Sequence, residues 1–122
     1  MADLWPLNPE GDLFLLAIVE EKEGVENLPR ILREVKGISA VWAGFGDLSV
    51  SLGYAGDYTH PKVEEAVQRI LSTCLDYGVP CCIPAQASDV EMRVKQGFRI
   101  IMAGVGRSLE ALARGRRVAE RS

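Results

Sequence analysis

Continuous apolar runs alternate along this chain with apolar residues spaced three and four positions apart. Such runs are typical of buried parallel strands, and such spacing is typical of helices that cover a sheet. The runs predict strands at 13–19, 39–43, 79–83 and 99–103, and the spaced residues predict helices at 24–35, 61–77, 87–96 and 107–120. The first strand, 13–19, is apolar throughout and is therefore predicted to be buried on both faces.

Proline, glycine and serine mark where these helices begin and end. Pro61 suits the first turn of the helix at 61–77, and Gly78 is its predicted stop. Pro29 falls inside the stripe at 24–35, so that helix is predicted to begin near Pro29. Ser88 is the predicted N-cap of the helix at 87–96.

The order strand–helix, repeated four times, predicts an α/β fold with a parallel sheet. Residues 1–122 are expected to form a single domain, and 1–12 a loop that leads into it. Four units are half of an eight-unit barrel, which typically needs about 250 residues. A half barrel has two unpaired edge strands and an uncovered inner face. We therefore expect the chain to form a homo-oligomer or to pair with a chain that supplies the missing half.

Composition narrows the classes of function. The chain has 122 residues, a net charge of −3 and a pI near 5.2, so a nucleic-acid partner is not expected. No apolar run approaches the roughly 20 residues of a membrane span, and the first residues lack the pattern of a secretory signal. The chain has three cysteines, an odd number, and they lack zinc-ligand spacing: Cys74, Cys81 and Cys82. They predict a reduced, cytoplasmic protein in which the cysteines are small buried apolar residues.

Two acidic residues follow successive predicted strands. Glu20 ends the first strand, and Asp47 follows the second by a few residues. Parallel neighbours lie about 4.8 Å apart, so both carboxylates would emerge on one rim of the sheet. Oxygen ligands of this kind suit a hard cation such as Mg²⁺ or Mn²⁺. Two simpler interpretations remain open, in which Glu20 opens the solvated run 20–23 and Asp47 caps a turn.

Each of three further sites allows both a chemical and a structural interpretation. Gly44, Gly46 and the N–H groups around Asp47 could form an anion-binding concavity, or a tight turn that needs small residues. Residues 104–108, Gly-Val-Gly-Arg-Ser, could bind phosphate, or form a plain turn. His60 precedes Pro61, so a helix-start role is favoured over that of a general base.

Several segments together resemble the HpcH/HpaI aldolase family of metal-dependent, class II pyruvate aldolases. The most specific is 44–53, Gly-Phe-Gly-Asp-Leu-Ser-Val-Ser-Leu-Gly. The segments at 19–21, 23–28, 35–38, 60–63 and 97–101 continue the match, which spans nearly the whole chain.

The resemblance implies a (β/α)₈ barrel, usually in a hexamer, of which this chain is similar to strands five to eight. It implies that Glu20 and Asp47 are ligands of a divalent metal (Mg²⁺ or Mn²⁺, with Co²⁺ a further candidate). It also implies that backbone N–H groups of Gly46 and Asp47 hold the carboxylate of pyruvate. The implied activity is a carbon–carbon lyase that reversibly cleaves 4-hydroxy-2-oxo acids to pyruvate and an aldehyde.

The chain departs from the family pattern in two respects. Phe45 stands where the family usually has proline. The catalytic arginine and histidine of the family come from the first half of the barrel, and nothing in this chain matches them. The alternative function is therefore a catalytically incomplete barrel fragment that acts as an assembly or small-acid-binding module.

Overall fold

The structure, a computed structural model, describes residues 3–103 and 109–121, so the predicted phosphate turn at 104–108 lies outside it. The strands are β1 (Leu4–Trp5), β2 (Leu13–Phe14), β3 (Leu16–Val19), β4 (Ala40–Ala43), β5 (Cys81–Ala85) and β6 (Ile100–Ala103). The helices are α1 (Lys22–Glu34), α2 (Phe45–Ser51), α3 (Pro61–Tyr77), α4 (Val90–Gln96) and α5 (Glu110–Arg121).

The main sheet contains β3, β4, β5 and β6 side by side in that order, and every neighbouring pair is parallel. Each connection between neighbouring strands includes a helix, as the βα pattern predicts. All four strands therefore end on one edge, which we call the C-terminal rim. The predicted α/β fold and parallel sheet are confirmed.

The hydrophobic core lies between one face of this sheet and the helices. Side chains of alternate strand residues, among them Val19, Val41 and Ile83, pack there with the apolar stripes of α1 and α3. The helical members of this core are Val25, Leu28, Leu32, Ala66, Val67, Ile70, Leu71 and Cys74. Helix α3 has the predicted bounds, and Gly78 closes it in the left-handed conformation at φ 67°.

The other face of the sheet, which we call the open face, carries the intervening side chains. Its members are Leu16, Ile18, Ala40, Trp42, Cys82, Pro84, Ile100 and Met102. Ile18 is 51% exposed and Met102 is 37% exposed. The prediction that 13–19 is buried on both faces is therefore wrong, because the core with the helices lies on one face alone. That run is also divided, with Leu15 between β2 and β3.

Three predicted boundaries are corrected. Helix α1 begins at Lys22 and contains Pro29, because burial of Val25 and Leu28 holds its first turns in the helix. Within the predicted leading loop, Leu4–Trp5 pairs with Leu13–Phe14. Helix α4 begins at Val90, after a turn at 87–89.

That turn explains why Ser88 is not the N-cap of α4. Asp89 holds the N-cap position, and its Oδ1 accepts a hydrogen bond from the Gln86 N–H at 2.7 Å. The bond closes the chain back on the end of β5 and delays the helix by three residues.

The three cysteines are buried and free of disulfides, as predicted. Hydrogen bonding with Cys74 and burial raise the pKa of the Cys81 thiol well above its usual range. The Cys81 thiol is therefore a packing group in the core. Among the residues that the structure describes, no helix is long and apolar enough to cross a membrane.

Candidate metal centre

Glu20 and Asp47 are brought together at the C-terminal rim. Glu20 directly follows β3, and Asp47 is the third residue of α2, which begins just after β4. β3 and β4 are paired up to their ends, with Val19 opposite Ala43, and the Gly44 N–H donates to the Val19 carbonyl at 2.9 Å. Both acidic side chains are exposed on this rim. The structure thus places the two residues side by side, as the strand pattern predicts.

The carboxyl groups of Glu20 and Asp47 lie within hydrogen-bonding reach of each other. The pKa of Glu20 is raised above its usual range, first by a side-chain hydrogen bond with Asp47, then by desolvation and by repulsion from Asp47 and Glu21. Two carboxylates that lie this close repel each other, so a cation shared between them would be favoured. The all-oxygen pair suits a hard divalent ion.

Gly44 makes the close approach possible. A Cβ atom there would lie 3.2 Å from the Glu20 Cβ, 3.1 Å from the Ile18 Cγ2 and 3.3 Å from the Val19 carbonyl oxygen. A Cβ on Gly46 would have nothing within 4 Å. Gly44 is therefore a spacer between the two acidic segments, whereas Gly46 leaves open space over the start of α2. The sequence showed both glycines but could not tell these roles apart.

The first turn of α2 presents backbone N–H groups beside the acidic pair. Its first intrahelical bond runs from the Leu48 N–H to the Gly44 carbonyl at 3.0 Å. The N–H groups of Phe45, Gly46 and Asp47 precede this bond, so helix geometry gives them no acceptor within α2. The anion-binding interpretation of this turn depends on these N–H groups.

Ser51 is a positioning residue that sequence reasoning missed. Its Oγ accepts a hydrogen bond from the Lys22 N–H at 2.9 Å, which ties the end of α2 to the start of α1. The bond fixes the two segments that carry Glu20 and Asp47. A serine on an exposed face gave no signal of this role in the sequence.

Other possible ligands lie elsewhere. Within residues 3–103 and 109–121, no group of three or more His, Cys, Asp or Glu side chains could hold a metal ion. His60 has the favoured helix-start role, because its Nδ1 accepts from the Lys62 N–H at 3.1 Å and its ring stacks on Tyr54. Within the described part of the chain, then, no third such side chain completes a ligand set with Glu20 and Asp47.

Comparison with known proteins identifies the family. The sequence pattern of the HpcH/HpaI aldolase/citrate lyase family matches residues 9–111. The chain belongs to this family. It is 32% identical over 100 residues to the 4-hydroxy-2-oxo-heptane-1,7-dioate aldolase of Escherichia coli. The aligned region covers 81% of this chain and 38% of that relative. It is 28% identical over 94 residues to the 5-keto-4-deoxy-D-glucarate aldolase of Citrobacter koseri, covering 76% of this chain and 36% of that one.

Solved structures give the same result for the fold. A HpcH/HpaI aldolase/citrate lyase family protein from Burkholderia cenocepacia matches with a TM-score of 0.71 at 30% identity, over 89% of this chain and 42% of that one. The HpcH/HpaI aldolase from Desulfitobacterium hafniense matches with a TM-score of 0.71 at 26% identity, over 90% of this chain and 42% of that one. The chain therefore spans well under half the length of these relatives.

Proposed function

We propose that this chain is the metal-binding half of a pyruvate aldolase, a carbon–carbon lyase that cleaves 4-hydroxy-2-oxo acids to pyruvate and an aldehyde. The main support is the pair Glu20 and Asp47, which share one point of the C-terminal rim. Family membership supports the aldolase or lyase class. In parallel α/β barrels this rim carries the chemistry.

Glu20 and Asp47 would hold the divalent cation through their carboxylate oxygens. Mg²⁺ and Mn²⁺ fit this donor set, and Co²⁺ is a further candidate. The bound cation would supply a Lewis acid for the keto oxygen of the 2-oxo acid. Because a carboxylate binds a cation only in its ionised form, protons and the cation would compete for Glu20.

The N–H groups of Gly46 and Asp47 would hold the carboxylate of the same substrate. They lie in the first turn of α2, where the helix dipole favours negative charge. Gly46 leaves the space above this turn open, so a planar carboxylate can approach the backbone. Held through its carboxylate and its keto oxygen, the pyruvate unit would be oriented for cleavage of the bond between C3 and C4.

Proton transfer needs residues that this chain does not supply. The arginine and histidine expected from the family resemblance belong to the first half of a barrel. We therefore propose that the working site forms with a complementing half, or within an oligomer that restores a closed barrel. The 2-oxo acid is the small-molecule partner.

Cleavage activity tests this function. Pyruvate release from a 4-hydroxy-2-oxo acid is measured with Mn²⁺, for the chain alone and with a polypeptide of the first half of the Escherichia coli aldolase. We expect release when both halves are present and loss of release in Asp47→Ala. Asp57→Ala, an exposed loop residue, is the matched control. Activity no higher than that of Asp47→Ala, with the first half present, would reject the lyase function.

The alternative function is a small-acid-binding or assembly module. It is favoured by the missing arginine and histidine, because the acidic pair and the N–H groups of α2 can bind without turnover. Equilibrium dialysis of pyruvate with Mg²⁺ separates the two functions. Binding that is lost in Asp47→Ala, without cleavage when the first half is added, would establish the binding module.

A further inference from the structure

A cavity of about 460 Å³ lies between α4, α5 and β6. β6 is one edge strand of the main sheet, and β3, which Glu20 follows, is the other edge strand. Neither Glu20 nor Asp47 lines the cavity. Its volume is within the range of small-molecule sites. The cavity is therefore a separate feature from the proposed metal centre.

The wall of this cavity is largely apolar. It lies on the helix-covered side of the sheet, because Ile101 of the wall stands opposite the core residue Ile83 in the neighbouring strand. The apolar side chains of the wall include Val90, Val94, Phe98, Ile101, Ala103 and Leu112. A concave apolar wall of this kind suits a hydrocarbon group.

Helix α5 forms one side of the cavity with a single face. Its lining residues have the helical spacing i, i+3, i+4 and i+7: Leu112, Gly115, Arg116 and Ala119. A Cβ atom on Gly115 would lie 3.0 Å from the Val90 Cγ2, so α5 approaches the start of α4 closely at this point. This close packing fixes the backbone of Arg116, the next residue, beside the apolar wall.

The charges that line the cavity are of one sign. Among its described lining residues, the charged side chains are those of Arg99 and Arg116, and both are exposed. In the part of the chain that the structure describes, neither guanidinium has a hydrogen-bond or ion-pair partner. Arg114 of the same helix differs, because it donates to the Ala87 carbonyl at 3.0 Å and pairs with Glu110 at 2.7 Å. Two unpaired cations without a carboxylate, in a chain of net charge −3, favour an anion.

We propose that this cavity binds a small monocarboxylate with a hydrocarbon body. The carboxylate pairs with the guanidinium groups of Arg99 and Arg116, whose forked N–H donors match its two oxygens. The hydrocarbon body lies against Val94, Ile101 and Leu112. An inorganic anion would leave this wall uncovered, and an uncharged hydrocarbon would leave both arginines unpaired. The assignment does not depend on the lyase function, because the acidic pair takes no part in it.

Three probes separate the contributions of the charge and of the wall. Octanoate, 1-octanol and acetate are titrated into the isotope-labelled chain, and NMR shifts are followed at the methyl groups of Val94, Ile101 and Leu112. Octanoate is expected to shift these signals saturably, and 1-octanol and acetate each to bind on the order of tenfold more weakly.

Four results of these titrations would overturn the assignment. Octanoate might leave the three methyl signals unmoved. 1-Octanol that binds as tightly as octanoate would show that the arginines take no part, and acetate that binds as tightly would show that the wall takes none. Equal octanoate shifts at Ile18, on the open face, would show adhesion to any apolar surface.

A matched set of variants checks the role of the two arginines. Arg99→Gln and Arg116→Gln are each expected to weaken octanoate binding on the order of fivefold. Both should leave 1-octanol binding unchanged, which also shows that the variant is folded. Arg117→Gln removes the charge of the adjacent exposed residue, which does not line the cavity, and should keep the wild-type affinity. Equal losses in all three variants would show a diffuse attraction to a basic helix and would overturn the assignment.

Titrations at two chain concentrations test whether a second copy of the chain fills the cavity instead. The same affinity for octanoate at both concentrations is the expected result. An affinity that falls as the chain concentration rises would show that another copy covers the cavity, and the carboxylate site would then be rejected.

Discussion

At the scale of single residues, Glu20 links the stability of the fold to the chemistry of the rim. The native state raises the pKa of Glu20, so it holds that proton more tightly than the unfolded chain does. Stability therefore falls as the pH rises through the raised pKa, because the native state then loses a proton that it binds well. A cation at Glu20 and Asp47 would replace the proton and remove this loss.

We predict that Glu20→Gln raises the melting temperature of the metal-free chain at neutral pH. The substitution removes the repulsion from Asp47 while keeping a hydrogen-bonding side chain of the same shape. Thermal melts between acidic and neutral pH check it, with Glu23→Gln as the control from the same acidic run. The melting temperatures of the wild type and of Glu20→Gln are compared as the pH rises. If the wild-type value falls no more than the value of the variant, the two carboxylates do not interact.

Glu64 is the second residue with a clear electrostatic role. Its hydrogen bonds from Arg93 lower its pKa below the usual range, and Gln68 Nε2 donates a further bond at 2.8 Å. Removing the charge of Glu64 leaves the buried Arg93 guanidinium with weaker partners. Breaking a fully buried pair costs about 3–5 kcal/mol, but the Glu64 side chain is 38% exposed. Solvent screening reduces the expected loss to about 1–2 kcal/mol.

Urea unfolding of Glu64→Gln measures this loss, with its neighbour Glu65→Gln as the control. Glu65 forms an exposed pair with Lys62, so its substitution should have little effect. Because the folded pKa of Glu64 is lowered, its contribution is complete above the unfolded pKa and disappears as the pH falls through the folded pKa. The wild type and Glu64→Gln should therefore converge in acid. A difference that stays constant down to low pH would contradict the ion-pair explanation.

At the scale of elements, the junction between β4 and α2 determines the site. Gly44→Ala would place a Cβ against the Glu20 Cβ and the Val19 carbonyl, so the acidic residue must move. We predict weaker Mn²⁺ binding for Gly44→Ala by roughly tenfold or more, as for the loss of residues that orient metal ligands. Isothermal titration calorimetry measures the affinity.

Gly46→Ala is the matched control for this junction. Its Cβ would meet no atom within 4 Å, and alanine is a better helix residue than glycine. We expect unchanged Mn²⁺ affinity and a gain in stability of about 0.5–1 kcal/mol. Equal loss of Mn²⁺ affinity in the two variants would show that Gly44 is not a spacer.

The sequence predicted those elements whose signals are local. Pro61 and Gly78 bound α3 correctly, because the N1 proline and the left-handed glycine act on their own backbone. The start of α4 was wrong because it depends on the carboxylate of Asp89 reaching back to the Gln86 N–H. The pairing of Glu20 with Asp47 was predictable because parallel neighbouring strands end together. The spacer role of Gly44 and the bond of Ser51 depend on contacts across the rim and could not be predicted.

At the scale of the whole molecule, the four-stranded sheet has one face without helices and two edge strands in the described part of the chain. The open face bears Ile18 and Met102, and the strands β3 and β6 form the two edges of the sheet. The apolar runs predicted this sheet, but they could not show which side chains remain exposed. Which side chains remain exposed depends on the position of the core, and that position cannot be read from any single run of residues.

We predict that the chain associates with itself or with a complementing half through the open face. Sedimentation equilibrium of the wild type should show association that rises with concentration and weakens in Ile18→Lys, which places a charge on that face. Leu75→Lys, on the 57%-exposed Leu75 of α3, is the control and should leave association unchanged. A wild type that stays monomeric at all concentrations and melts cooperatively would contradict the need for a partner.

The most direct test of the account is Mn²⁺ binding to the purified chain, followed by electron paramagnetic resonance. If Glu20 and Asp47 coordinate the same ion, the wild type binds one Mn²⁺ per chain. Glu20→Gln and Asp47→Asn should then each weaken binding by about tenfold or more. The double variant should be little worse than either single variant, because one missing carboxylate already breaks the shared site. Wild-type affinity in the double variant would contradict the central claim.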